Sequence, residues 1–183
     1  YKQGEYFFEE GLFAKAQREY RQTIDLLLAV NEADSELLRT KAELGNAQTA
    51  VRLNQPDGEK LILDFIRNYQ PDPIANQALI EISNYYFDSR DYDKAISYLS
   101  RVPTGGLSRE KRAAVKFRLG YAHFVKKNFG VAKTNFREIK DIDNDYYYPT
   151  NYYLGLCHFY EGSYDEAVRQ FRLVERAKKY SKY

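Results

Sequence analysis

Large apolar residues recur along this chain at the spacing of an amphipathic helix. Between residues 82 and 102, Ile82, Ser83, Tyr86, Tyr92, Ala95, Leu99 and Val102 form two such groups, interrupted by the polar stretch Ser89-Arg90-Asp91. Side chains three or four apart share one helix face, so the pattern predicts two helices closed by a short turn. The same seven positions return 37 residues later as Leu119, Gly120, His123, Phe129, Ala132, Phe136 and Ile139. Another 35 residues on they are Leu154, Gly155, His158, Tyr164, Ala167, Phe171 and Val174, each position keeping its size class. An internal repeat of this length predicts stacked supersecondary units.

The small positions explain how two helices of a pair could approach. Ser83, Gly120 and Gly155 fall in the first helix of each copy, and Ala95, Ala132 and Ala167 in the second. The intervening turns, Ser89-Arg90-Asp91, Lys126-Lys127-Asn128 and Glu161-Gly162-Ser163, are polar and rich in helix-capping residues. Toward the N-terminus the pattern is thinner. Gly4, Phe7, Gly11, Phe13, Ala16 and Tyr20 fit a first copy with a truncated opening helix, and Leu44, Gly45, Gln48, Gly58, Ile62 and Phe65 fit a second. There Gly58 stands where Ala is expected, and the turn Asn54-Gln55-Pro56-Asp57 is irregular.

The expectation is ten helices in five hairpins, with repeats near 1–30, 34–70, 74–103, 108–140 and 147–177, forming one all-α domain. Joins are expected near Asn31 to Asp34, Tyr69 to Pro73, Pro103 to Gly106 and Asp141 to Asp145, with Pro71, Pro73, Pro103 and Pro149 at or beside them, where proline is tolerated. The ending Lys178-Lys179-Tyr180-Ser181-Lys182-Tyr183 reads as the opening of another helix, and the start without Met as a fragment of something longer.

This order of large, small, aromatic, turn, aromatic, Ala and large residues resembles the tetratricopeptide repeat (TPR) family, most specifically over residues 74 to 176, although the family's usual Trp near the start of the first helix is absent. The resemblance implies an α-α superhelix, a TPR solenoid, whose first helices line a concave surface. Repeats of about 35 to 42 residues exceed the family's usual length, with the excess in the links. Such lengthened copies resemble those of bacterial envelope TPR proteins, which leans the expected location toward the periplasm or envelope of a Gram-negative bacterium, the alternative being cytoplasmic.

The resemblance also implies where a partner would sit. The lining positions are Gln77, Ile80, Asn84, Phe87 and Asp88, then Ala114, Phe117, Tyr121, Phe124 and Val125, and finally Tyr152, Leu156, Phe159 and Tyr160. The expected binding set is Asn84, Phe87, Phe117, Tyr121, Phe124, Tyr152, Leu156, Phe159 and Tyr160. Rings here can pack against the next repeat or form an open groove. Packing is favoured for Phe117, Phe124 and Phe159, while the two readings stand level for Phe87, Tyr121, Tyr152 and Tyr160. A carboxylate-clamp cochaperone fits poorly, since only Asn46 and Asn84 match the clamp's polar lining.

Composition sharpens this picture at one point. The 183 residues include 18 Tyr and 11 Phe but no Trp and no Met, so rings must fill much of the repeat's interior. With 28 basic and 26 acidic side chains interspersed, the charge pattern argues against a dedicated nucleic-acid surface. No segment approaches the length of apolar sequence needed to span a bilayer.

Candidate chemistry is sparse. His123 and His158 occupy the repeat position of Phe7 and Tyr86 and read as packing residues rather than metal ligands or bases. Cys157 adjoins His158, but consecutive helical residues point about 100° apart, so the two do not form a nucleophile and base pair. Asp141-Ile142-Asp143-Asn144-Asp145 begins like a calcium loop yet has Tyr146 where Gly is required, so it is read as an acidic link whose last residues cap the next helix. Lys111, Arg112, Lys116, Arg118, Lys126 and Lys127 form a basic stripe that could attract an acidic partner but reads first as a solvated face.

No phosphate-binding or nucleophile-elbow motif is present. No catalytic residue, cofactor or metal is therefore expected. The function expected is a scaffold that binds a protein or peptide on its aromatic face, the alternative being an architectural spacer in a larger envelope protein. Exposed repeat ends also offer a surface for homodimer contact.

Overall fold

The computed structural model describes residues 1–30 and 32–175. Within them lie ten α-helices: α1 (Lys2–Glu9), α2 (Phe13–Leu27), α3 (Ala33–Arg52), α4 (Gly58–Tyr69), α5 (Pro73–Asp88), α6 (Tyr92–Leu99), α7 (Arg109–Val125), α8 (Phe129–Arg137), α9 (Tyr147–Tyr160) and α10 (Tyr164–Glu175). No strand occurs among these residues. The short α1 matches the truncated opening expected of the first copy. The segment expected to begin a further helix, Lys178 to Tyr183, lies outside the described residues.

All five hairpins close in the same way. Leu12, Gln55, Asp91, Asn128 and Ser163 donate their backbone N–H to the carbonyls of Phe7, Ala50, Tyr86, His123 and His158, at 2.8 to 3.0 Å. One residue earlier, Gly11, Asn54, Arg90, Lys127 and Gly162 adopt φ between 52° and 79°. This is the Schellman closure, which satisfies helix-end carbonyls by turning one residue into the left-handed region. Gly occupies that position twice and side chains of three other kinds the rest. The irregular sequence Asn54-Gln55-Pro56-Asp57 thus hides a regular turn.

Starts are more varied. Asp91 accepts from the Lys94 N–H at 3.2 Å and Ser108 from that of Lys111 at 3.3 Å. The link before α9 departs from expectation: Asp145 does not cap. Asn144 does the work instead, its Oδ1 accepting from the Tyr146 N–H at 2.8 Å. Two further boundaries shift. Gly105 and Gly106, expected as plain linker, belong to a 3-10 turn at Thr104–Gly106, and Pro149 lies inside the first turn of α9.

The chain falls into two compact units, Tyr1–Ile82 and Ser83–Tyr183, with the division inside α5. In the first unit Ala16, Tyr20 and Ala42 form a buried cluster flanked by Tyr1, Phe7, Phe8 and Ile24. A Cβ built on Gly4 would stand 2.8 Å from the Tyr20 ring, and one on Gly45 2.5 Å. The ring therefore fills two side-chain vacancies at once. Gly58 answers the sequence anomaly differently, since its Cβ would meet the Ala50 backbone at 2.8 Å, closer than even Ala permits.

The second unit has a larger ring content. Ala132, Phe136, Leu154 and Cys157 are fully buried, and Phe117, Tyr121, Phe124, Phe129 and Tyr153 pack around them. A second cluster, Ala113, Ile139 and Ile142 with Phe117 and Tyr146, anchors the link between α8 and α9. These two clusters position the site described next.

Candidate functional site

An open groove of about 410 Å³ lies in the second unit along α5, α7 and α9. α5 brings Phe87 and Asp88, and its turn brings Arg90. α7 brings Phe117 and Tyr121, α9 brings Pro149 and Tyr153, and Tyr92, Asp145 and Tyr146 complete the rim. The rings touch in sequence. Phe87 meets Tyr121 at 5.6 Å between centroids, Tyr121 meets Tyr153 at 5.0 Å with the planes perpendicular, and Phe117 meets Tyr146 at 5.1 Å. Edge-to-face and tilted arrangements of this kind stabilise one another through opposite ends of the ring quadrupoles.

Charges at the mouth are unequally engaged. Arg118 lies over the Phe87 ring at 5.8 Å and donates to the Tyr146 hydroxyl at 3.4 Å, bracing two groove walls. The side chains of Asp88, Arg90 and Asp145 make no hydrogen bond or ion pair among the described residues. The Tyr92 hydroxyl is held above the ordinary phenol range, first by burial and then by the neighbouring Tyr121. It therefore stays protonated and able to donate.

No family model matches the sequence, and no curated protein matches it. Solved structures do. The crystal structure of MamA shares 20% identity, with a TM-score of 0.68 over 98% of this chain and 97% of that one. The TPR-like repeats of a putative kinesin light chain from Podospora anserina share 13% identity, with a TM-score of 0.69 over 96% of this chain and 91% of that one. A MamA structure labelled AMB-1 gives 18% identity and a TM-score of 0.67, covering 97% of this chain and 89% of that one. The fold is of the tetratricopeptide repeat type. At such identities the likeness is one of fold alone.

Within this TPR frame the expected lining residues separate. Phe87, Phe117 and Tyr121 come together in the groove. Phe124 packs beside it, 5.2 Å from Tyr153 and 5.7 Å from Phe129. Tyr152 does not line it. Its ring lies 6.0 Å from Phe171 of its own hairpin, as Phe117 lies 6.0 Å from Phe136. The ring that α9 supplies to the groove is the next one, Tyr153. Asn84 and Leu156 are half-buried and also stand outside the lining. Phe159, expected to be packed between repeats, is 49% exposed, and Tyr160 is 59% exposed although stacked on Phe129 at 5.2 Å.

Arg90, Tyr92, Asp145, Tyr146, Pro149 and Tyr153 are the members that sequence reasoning left out. A signal existed for Tyr146 in the run of three tyrosines after the acidic link. The basic stripe on α7 is not a free face: Lys116 pairs with Glu138 and Lys126 with Asp93, each at 2.9 Å, and Arg118 is committed as above. Asn46, one of the two clamp-like residues, accepts from Arg21 at 3.2 Å.

The histidines sit in the aromatic slots. His158 is buried and His123 half-buried, and burial holds both below the ordinary imidazole range, with Lys133 and Arg137 adding to the effect at His158. Each leaves its Nδ1 buried without a partner. Cys157 is fully buried, and burial pushes its thiol up to about 12, far from the thiolate a nucleophile needs. Among the described residues no group of three acidic, His or Cys side chains could hold a metal ion, and no helix is long and apolar enough to cross a membrane.

Proposed function

We propose that the chain is a protein-interaction module that seats a segment of a partner protein in the ring-lined groove of α5, α7 and α9. The observation that carries this reading is the coexistence of accessible rings with uncommitted charges. Phe87, Tyr92, Tyr121 and Tyr153 present apolar area at low conformational cost, while the side chains of Asp88, Arg90 and Asp145 around them make no hydrogen bond or ion pair among the described residues. A purely architectural surface has no need of unpaired charge beside unfilled aromatic space. A few such ring anchors supply most of an interface's energy, about 2 kcal/mol or more each when fully covered.

The test replaces Tyr92 with a photoreactive phenylalanine analogue and irradiates the protein in lysate of its source. Covalent capture of a discrete protein, lost when Tyr121→Ala is added with the helical circular dichroism unchanged, is the expected result. Capture that ignores Tyr121→Ala would favour the architectural reading.

A further inference from the structure

We propose that the last hairpin, α9 with α10, pairs with the same hairpin of a second copy of this chain, the two α10 helices running antiparallel across a two-fold axis near Val168.

The internal repeat shows that the face concerned is one the fold covers elsewhere. In the fourth hairpin Phe124, Phe129 and Lys133 are half-buried because α9 lies over them. Phe124 meets Tyr153 at 5.2 Å, Phe129 stacks on Tyr160 at 5.2 Å, and Lys133 pairs with Glu161. In the fifth hairpin, 35 residues on, the same positions are Phe159, Tyr164 and Val168. These are 49%, 61% and 47% exposed, with the two rings in contact at 5.6 Å. Valine has replaced the lysine, so the open face is more apolar than its covered counterpart. A contiguous exposed surface of that kind marks a contact site.

Charge selects the occupant. Asp165 and Arg172 stand on the same side of α10 as Val168, three residues before it and four after it. Both are exposed, and their side chains make no hydrogen bond or ion pair among the described residues. About 10 Å of helix separates them. Two α10 helices laid antiparallel, crossing near Val168, therefore bring Asp165 of each copy opposite Arg172 of the other. One acid and one base thus yield two identical ion pairs, the self-complementarity that a two-fold interface requires. A parallel pairing would instead oppose each charge to its own kind.

The N-terminal end of a second copy is a poor occupant by the same repeat logic. The residues with which α9 covers the fourth hairpin, Tyr160 and Glu161, correspond to Glu9 and Glu10 in the first, both exposed. Head-to-tail stacking would set these two carboxylates on Phe159, Tyr164 and Val168, which offer them no cation. The pairing consequently closes as a dimer and does not grow as a filament.

Sedimentation velocity over a range of concentrations tests the proposal. The unaltered chain is expected to dimerise with a Kd below about 1 mM, in the weak range of a face made by so few residues. Asp165→Arg and Arg172→Asp should each weaken the dimer by about tenfold or more, since each sets like charges opposite one another twice. An equimolar mixture of those two variants should regain the original affinity, because the acid and base pairs are restored between unlike chains. Val168→Asp should abolish association by placing two carboxylates together at the axis. All three residues are exposed, so helical circular dichroism should match that of the unaltered chain. A mixture no tighter than the single variants overturns the proposal, as does a dimer indifferent to all three substitutions. A chain that stays monomeric throughout also overturns it and leaves the face to a different occupant.

Discussion

The ring of Phe136 occupies the volume that a side chain at Gly120 would need: a Cβ there would lie 2.7 Å from the ring's Cε1. Gly155 and Phe171 repeat the relationship at 2.6 Å, and Gly4 and Tyr20 at 2.8 Å. In each pair the ring stands sixteen residues after the glycine. These three hairpins are thus registered by a ring seated over a missing side chain.

Gly120→Ala is expected to destabilise the protein by about 1 to 3 kcal/mol, because Phe136 is fully buried and cannot yield without disturbing its neighbours. Trimming the ring in the same molecule, Gly120→Ala with Phe136→Leu, should cost less than the two single changes added. Urea denaturation of the four proteins measures the coupling. Strict additivity would show that the two residues do not share one space.

Lys127 holds φ at 61° in the closure that Gly162 makes at 79° one hairpin later. A side chain in the left-handed region costs roughly 1 to 2 kcal/mol, against which glycine's greater freedom in the unfolded chain offsets about 0.5 to 1. Lys127→Gly should therefore raise the melting temperature by a few degrees, whereas Gly162→Lys should lower it. Calorimetric scans of both variants check the pair of signs.

His158 gives the molecule a directional pH response. Burial depresses its folded pKa, so the unfolded chain binds the proton first and stability falls as pH drops through the unfolded-state value of about 6.5. Above that value the contribution is constant. His158→Phe, which installs the ring found at the equivalent Phe7, should flatten the loss between pH 7 and pH 5. Denaturant midpoints across that range report it, and an unchanged slope in the variant would assign the pH dependence elsewhere.

Cys157 should be silent toward a soluble disulfide reagent in the native state, since it is fully buried and its thiol is pushed up to about 12. Modification should instead follow the rate at which α9 opens, speeding with denaturant. Rapid stoichiometric labelling of the folded protein would contradict the buried placement.

The last three hairpins were legible because a period of 35 to 37 residues repeats sizes, and size is what helix packing selects. Gly58 looked like an exception only because the reason is backbone, the Ala50 carbonyl at 2.8 Å, which leaves no trace in a side-chain pattern. The groove was half legible for a different reason. Repeat equivalence carries Phe117, Tyr121 and Phe124 onto Tyr152, Leu156 and Phe159, and the matching contacts to Phe136 and Phe171 show that the equivalence holds. A groove between hairpins, however, takes one wall from each. Tyr153 descends from the position of Arg118, the one that reaches back to Phe87, and Tyr153 likewise reaches back to Tyr121. The residue that closes the wall is therefore a neighbour of the one the repeat nominates, about 100° around the helix.

The absence of tryptophan, noted first as a matter of packing, leaves the protein with a built-in optical gauge. Tyr92, Tyr121, Tyr146 and Tyr153 crowd one groove in a chain with no indole to drain their excitation or mask their emission. Phenol emission near the ultraviolet edge should thus change when the groove fills, and a tryptophan placed in a ligand would report its arrival by energy transfer from those four rings.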